Sequence, residues 1–244
     1  MRVFYHTDIG KVRTQNEDSI YTSEITPGVW VAVVADGMGG HLAGEVASKM
    51  ITEQISKCLN SQNINISSGR RGLLQQTIEE ANQTIFQLAT SSPEYQGMGT
   101  TVVAAVVDHA TVTVVHAGDS RAYLWDNESL RHVTEDHSYV NLLLRHGEIT
   151  ESEARHHPQR NMIINAVGTT EHIDTDAVDF AWQRSEMLLL CSDGLTSETC
   201  EEEIAEVLAK PEFTLEEKGM ELFHLAMREG KDNISLILMQ NEEV

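Results

Sequence analysis

Basic residues and cysteines are scarce in this chain. Its 244 residues carry 17 Lys and Arg against 38 Asp and Glu, a formal net charge of −21. A body that acidic repels nucleic acid and anionic membrane surfaces, so neither is expected as a partner. The three cysteines, Cys58, Cys191 and Cys200, are odd in number and lack CxxC spacing. Neither a disulfide framework nor a zinc site follows from them, and a reducing cytoplasm is the compartment they suit. The longest apolar run, Val29 to Ala35, is far too short to cross a bilayer. The opening MRVFYHTDIG contains no apolar core of secretory length. With only four prolines and neither repeats nor low-complexity tracts, 1–244 reads as a single domain, long enough to bury a real core.

Some reactive signatures are missing as well. A phosphate-cradling cysteine loop needs an arginine six residues beyond the thiol; here Ile64, Ser197 and Glu206 occupy those places. There is no GxxxxGK[ST] nucleotide loop and no GxSxG nucleophile elbow.

What the chain does have is many short β-rich runs, over 2–7, 19–22, 29–35, 101–108, 111–117, 121–125, 187–191 and 233–239. VVDHAT and WDNES read as hairpin turns. Apolar residues at three- and four-residue steps (Ala43, Val46, Ala47, Met50, Ile51, Ile55, Leu59) predict one helix, and Leu74, Ile78, Ala81, Ile85 and Leu88 predict a second. Thr214 with Glu217 forms a capping box ahead of a C-terminal helix, and Thr150 with Glu153 opens a short one. The polar region 138–170, with His156 and His157, reads as an insertion beside the main body, and 60–70 as a surface loop. Strands that follow one another directly favour antiparallel sheets with helices outside, an α+β architecture.

Acidic residues recur at the borders of the strands. Asp36 follows VWVAVVA, Asp193 follows MLLLCS and Asp119 follows TVTVVHAG, whereas Asp18 precedes SIYTS and Asp232 precedes NISLILM. In an antiparallel sheet the end of one strand lies beside the start of the next, so these acids can collect on one edge. A lone Asp–Gly pair is an ordinary turn, and Asp119 could simply pair with Arg121. Two carboxylates about 4–5 Å apart repel by roughly 3–4 kcal/mol at an effective dielectric near 20. No Lys or Arg lies within ADGMGGH or CSDGL, and Lys231 would point away from Asp232 if that strand alternates. Cations then balance the cluster, and oxygen-only ligands favour Mg²⁺ or Mn²⁺. Arg13, in RTQNEDS, offers a fork matched to phosphate, with an ion pair to Glu17 as the plainer alternative. Two metals and an arginine suit phosphoester hydrolysis by an activated water.

RTQNEDS, VVADGMGGH, GMGTT, HAGDSRAYLW, VTEDHS, LLLCSDGLT and GKDNIS together resemble, in order and spacing, the type-2C (PPM) metal-dependent Ser/Thr phosphatases over essentially the whole length. The likeness is strongest to small stand-alone bacterial members, which often oppose membrane-anchored Ser/Thr kinases with PASTA repeats. It implies a central sandwich of two antiparallel sheets flanked by helices, with a metal cleft at one end and a flap at 138–170. It also implies a cytoplasmic monomer acting on phosphoproteins, among them a Ser/Thr kinase and its substrates. By the same resemblance Asp36 bridges two Mn²⁺ or Mg²⁺ ions and the Gly37 carbonyl assists. Asp193 and Asp232 hold the other ion, Glu17 and Asp18 act through water or from behind the direct ligands, and Arg13 binds phosphate. Asp119 with Asp193 could hold a third ion. Many eukaryotic members carry a histidine after the Asp–Gly pair; here Met38 stands there, and His41 is the candidate proton donor, or else a helix cap. Two rivals remain from the sequence: a phosphatase of small phosphomonoesters or of one regulator, and an inactive binding module.

Overall fold

The computed structural model describes residues 1–39, 43–61 and 69–242. Two antiparallel sheets form its centre. One runs in the order β1 (Arg2–Asp8), β11 (Ile234–Gln240), β10 (Met187–Cys191), β7 (Arg121–Trp125), β8 (Leu130–His132). The other runs β2 (Asp18–Thr26), β3 (Val29–Met38), β5 (Val102–Val107), β6 (Thr111–Ala117), β9 (Asp176–Ala181), with β4 (Gly99–Thr100) pairing the far end of β3. α1 (Ala43–Ser61) and α2 (Arg70–Ser91) cover the second sheet, while α6 (Glu201–Leu208) and α7 (Leu215–Ala226) cover the first.

Period-two alternation explains the layering. Along β3, Val31, Val33 and Ala35 pack with Ala47, Ile51 and Ile55 of α1, whereas Ala32 and Val34 face the opposite sheet. On the other side Leu188 and Leu190 of β10 and Ile237 and Met239 of β11 complete that inner layer. Leu189, Leu236 and Leu238 point outward to Ile204, Leu222 and Phe223 of the covering helices. Strands buried on both faces read as unbroken apolar runs, as VVAAVV of β5 does. The expected αββα sandwich is therefore the fold.

Local signals account for most boundaries. Both capping boxes form, at Thr150 ahead of α4 (Glu151–Arg155) and at Thr214 ahead of α7. The VVDHAT turn closes with Asp108 N–H donating to Thr111 O at 3.0 Å, and WDNES places Asn127 at φ 73°. The structure departs from the sequence reading in several places. α1 runs on to Ser61 and Arg70 opens α2, so the expected 60–70 loop is shorter; 62–68 lie outside the described residues. Arg70 is buried and ion-paired with Asp108, which draws it into the helix start. β3 does not stop at Asp36 but continues to Met38, because β4 supplies it with a partner. β9, half exposed and punctuated by Asp176 and Asp179, lacks the apolar density of the other strands and was not expected; neither was α3 (Tyr139–Arg145), capped by Ser138.

Candidate metal centre

The acids anticipated from strand borders meet at one end of the sandwich. Two positions beyond Val34, Asp36 lies on the face between the sheets, directly opposite Asp18 in the β2–β3 register. Asp119 lies on the crossover that carries the chain from β6 to β7, and so from one sheet to the other. Asp193 opens the short helix α5 (Asp193–Thr196) after β10, and Asp232 precedes β11.

Polar contacts hold this end together. Asp18 accepts from Ser192 Oγ at 2.8 Å, and Ser192 Oγ in turn accepts from Ser235 N–H at 3.0 Å, stitching the two sheets. Thr101 brackets Asp36: its N–H donates to Asp36 O at 2.8 Å, and its hydroxyl accepts from Asp36 N–H at 2.9 Å. Glu17 O accepts from Gly37 N–H at 3.1 Å and from Ser48 Oγ at 2.6 Å. At Gly37 the backbones come so close that a Cβ would lie 2.1 Å from Gly44 O. Asn233 is a hub for the N-terminal loop; it accepts from Glu17 N–H at 2.8 Å and donates to Ile9 O and Gln15 O, both at 2.9 Å.

Electrostatics oppose this crowding. Burial, then repulsion from Asp18, Asp193, Asp119 and Asp232, pushes the Asp36 carboxyl well above the usual carboxylate range. Burial likewise raises Asp18 to about 7 and, with the charge of Asp193, Asp119 to about 8. Asp193 is raised by burial and by Asp232, with a hydrogen bond to Asp36 and the charge of Arg13 pulling the other way. Glu17 is raised by burial, partly offset by Arg13. Arg121 offsets the charge of Asp119 only in part, because it forks onto Asp136 at 2.9 and 2.7 Å. Lys231 turns away, to Glu198 and Glu229, as expected. Arg13 pairs with Asp232 at 2.6 Å rather than with Glu17. Its guanidinium is held charged above its ordinary range, first by that hydrogen bond.

Asp18 Oδ1 and Asp119 Oδ1 are buried without a hydrogen-bond partner. Buried anionic oxygens left unpaired are costly, and hard oxygen donors of this kind fit a divalent cation.

The protein phosphatase 2C family model matches residues 10–231. The chain belongs to the protein phosphatase 2C family. Over 244 residues it is 39% identical to the serine/threonine phosphatase stp of Listeria monocytogenes serotype 4b, covering 99% of this chain and 96% of that protein. The crystal structure of the serine/threonine phosphatase Stp1 from Staphylococcus aureus superimposes with a TM-score of 0.93 at 37% identity, over 99% of this chain and 95% of that one. The catalytic domain of the phosphatase PstP, crystallised in complex with two manganese ions, matches with a TM-score of 0.84 at 31% identity, over 97% of this chain and 96% of that one.

Within this phosphatase 2C chain the sequence reading located the acids but not what orients them. Ser192, Thr101 and Asn233 sit inside the quoted motifs LLLCSDGLT, GMGTT and GKDNIS, yet nothing in one sequence separates them from turn residues. His116, read as a packed side chain, is buried in β6. His41 lies outside the described residues.

Proposed function

We propose that this phosphatase 2C chain hydrolyses phosphoserine and phosphothreonine in proteins, using two divalent ions held by Asp36, Gly37, Asp193 and Asp232. The observation that carries the reading is the pair of unpartnered buried oxygens on Asp18 and Asp119, set among acids raised by burial and then by mutual repulsion. When bound, Mn²⁺ or Mg²⁺ supplies an acidified water and neutralises phosphoryl charge. Asp36, in β3, feels the charges of Asp18 from its own sheet's side and of Asp193 and Asp232 from the other. Asp18 and Glu17 orient water from behind, Asp18 being itself held by Ser192. Arg13, paired here with Asp232, would present its planar fork to the phosphoryl oxygens, and Asp232 would then be free to hold a cation. Asp119 with Asp193 is the place for a third ion. The insertion at 138–170 grips the protein around the phosphorylated residue.

PstP is described with two manganese ions, which supports the same count here. No helix among the described residues is long and apolar enough to cross a membrane. A cytoplasmic monomer that reverses a Ser/Thr kinase suits these features. The reading is tested by phosphate release from phosphoserine, phosphothreonine and phosphotyrosine peptides and from sugar phosphates, with Mn²⁺, Mg²⁺ or EDTA. Metal-dependent release from the first two is expected. Preference for sugar phosphates would replace the reading with the small-substrate alternative, and no release from any of them would point to an inactive module.

A further inference from the structure

We propose that His137 is a positioning residue that locks the 138–170 insertion to the loop carrying Asp119, through the lone pair on its Nδ1; the inference rests on the phosphatase reading above. His137 lies between β8 and α3 and holds Gly118 from two directions. Its backbone N–H donates to Gly118 O at 2.9 Å, and its Nδ1 accepts from Gly118 N–H at 3.2 Å. Toward the far end of the insertion, its carbonyl accepts from Ile164 N–H at 2.9 Å and Nδ1 also accepts from Asn165 Nδ2 at 2.8 Å. Asn165 Nδ2 donates to Asp174 O at 2.7 Å as well, which fixes the nitrogen of that amide toward the ring.

These donors determine the tautomer. A backbone N–H cannot be reversed, so Nδ1 must be bare and the ring proton lies on Nε2, 3.2 Å from Asp176 Oδ2. Asp176 thereby orients the imidazole in the way carboxylates orient ligating histidines.

The same neighbourhood has the composition of a metal site. Asp176 lies opposite His116 in the β6–β9 register, His116 stacks on His137 at 4.9 Å, and His116 Nδ1 is buried without a partner. His116, His137 and Asp176 each bring a potential ligand atom within 4.8 Å of the others. The tautomer argues against an ion. Nε2 is the His137 nitrogen facing Asp176, and replacing its proton with a metal would leave two N–H donors on Nδ1 and an anionic ring.

The contact then runs to the carboxylates. Gly118 is followed by Asp119, and with φ +108° it sits so close to Thr101 that a Cβ would lie 2.6 Å from Thr101 Cβ. Thr101 is the residue that brackets Asp36. One imidazole therefore joins both stems of the insertion to the backbone behind Asp119 and, through Thr101, to Asp36.

The test compares His137→Ala, His137→Asn and His137→Gln in the full chain. Asparagine places an acceptor oxygen where Nδ1 stands, whereas glutamine reaches only the Nε2 position. His137→Asn is expected to stay within about twofold of the parent. His137→Ala and His137→Gln should each raise KM for a phosphothreonine peptide, and the Mn²⁺ concentration for half-maximal stabilisation in thermal melts, by about tenfold, the worth of one to two hydrogen bonds. Their kcat at saturating Mn²⁺ should move less than about threefold. The proposal is overturned if asparagine is as damaging as alanine, or if melting temperatures fall while KM and the Mn²⁺ requirement stay put. It is also overturned if a visible Co²⁺ band is lost with His137 yet kept in Asp36→Asn. Absence of activity in the parent chain would instead sink the phosphatase reading, and the Mn²⁺ melts would still judge His137.

Discussion

Asp119→Asn isolates the electrostatic argument. Asp119 is buried, its Oδ1 has no partner, and burial together with the charges of Asp193 and Asp136 raises it to about 8. In an unfolded chain an aspartate titrates near ~3.9. Because the folded value is the higher one, the metal-free fold incurs no penalty below ~3.9, a growing one as pH rises, and the full one above about 8. At roughly 1.4 kcal/mol per pH unit, the interval from ~3.9 to a working pH of ~7.5 sets a ceiling of about 5 kcal/mol. Burial is the larger cause, and the acids titrate together so that the first protons taken up relieve the others, which leaves about 2–4 kcal/mol for this one. Asparagine keeps the shape without the charge, at about 1 kcal/mol for an imperfectly bonded amide. In EDTA at pH ~7.5 the variant should therefore be more stable than the parent by about 1–3 kcal/mol, a melting temperature roughly 3–10 °C higher. The advantage should shrink toward pH ~5 as protons do the same work. Saturating Mn²⁺ should narrow or reverse the order, since each site filled to about a hundred times its Kd stabilises the parent by about 2.7 kcal/mol. Thermal melts with and without Mn²⁺ across that pH range read all of this. A metal-free variant less stable than its parent at pH ~7.5, or one that gains as much from Mn²⁺, would refute the reasoning.

Other substitutions probe the rest of the site. Asp36→Ala or Asp193→Ala should leave less than about a tenth of the parent turnover on a phosphothreonine peptide, because each would remove a proposed ligand of the divalent ions. Arg13→Ala should raise KM more than it lowers kcat in steady-state kinetics; a large kcat loss at unchanged KM would give Arg13 a different role. Asn233→Ala removes three hydrogen bonds that hold the 9–17 loop, and should destabilise the fold by about 2–4 kcal/mol in urea unfolding while loosening Arg13.

The sandwich was legible because its inner strands are apolar on both faces, and runs such as VWVAVVA and MLLLCS can hardly be anything but buried strands. The same contrast exposed Asp36 and Asp193, since a carboxylate at the border of such a run demands an explanation. Elements that owe their form to tertiary partners stayed hidden. β4 exists because the end of β3 needs a neighbour, and β9 is a half-exposed strand that β6 recruits. α6 is capped by Cys200, a residue type that does not mark a helix start in sequence. At the site, residue type announced the acids but not their supports. Ser192 stitching the sheets and His137 clasping Gly118 are ordinary polar residues until the strands are assembled. Arg13 was recognisable as a charge near the acids, but its choice of Asp232 over Glu17 depends on how the loop folds back on Asn233.

Neither sheet owns a complete set of acids. Asp18 and Asp36 belong to one plate, Asp193 and Asp232 to the other, and Asp119 to the strap between them. Cations held at this rim, as proposed, would act as rivets through both plates, so that ion occupancy and the alignment of the sandwich would become a single mechanical variable. Drawing the rivets should leave the oily interlayer clamped at the far rim while the near rim gapes, and amide exchange in β2 and β10 would register that splaying long before the protein melts.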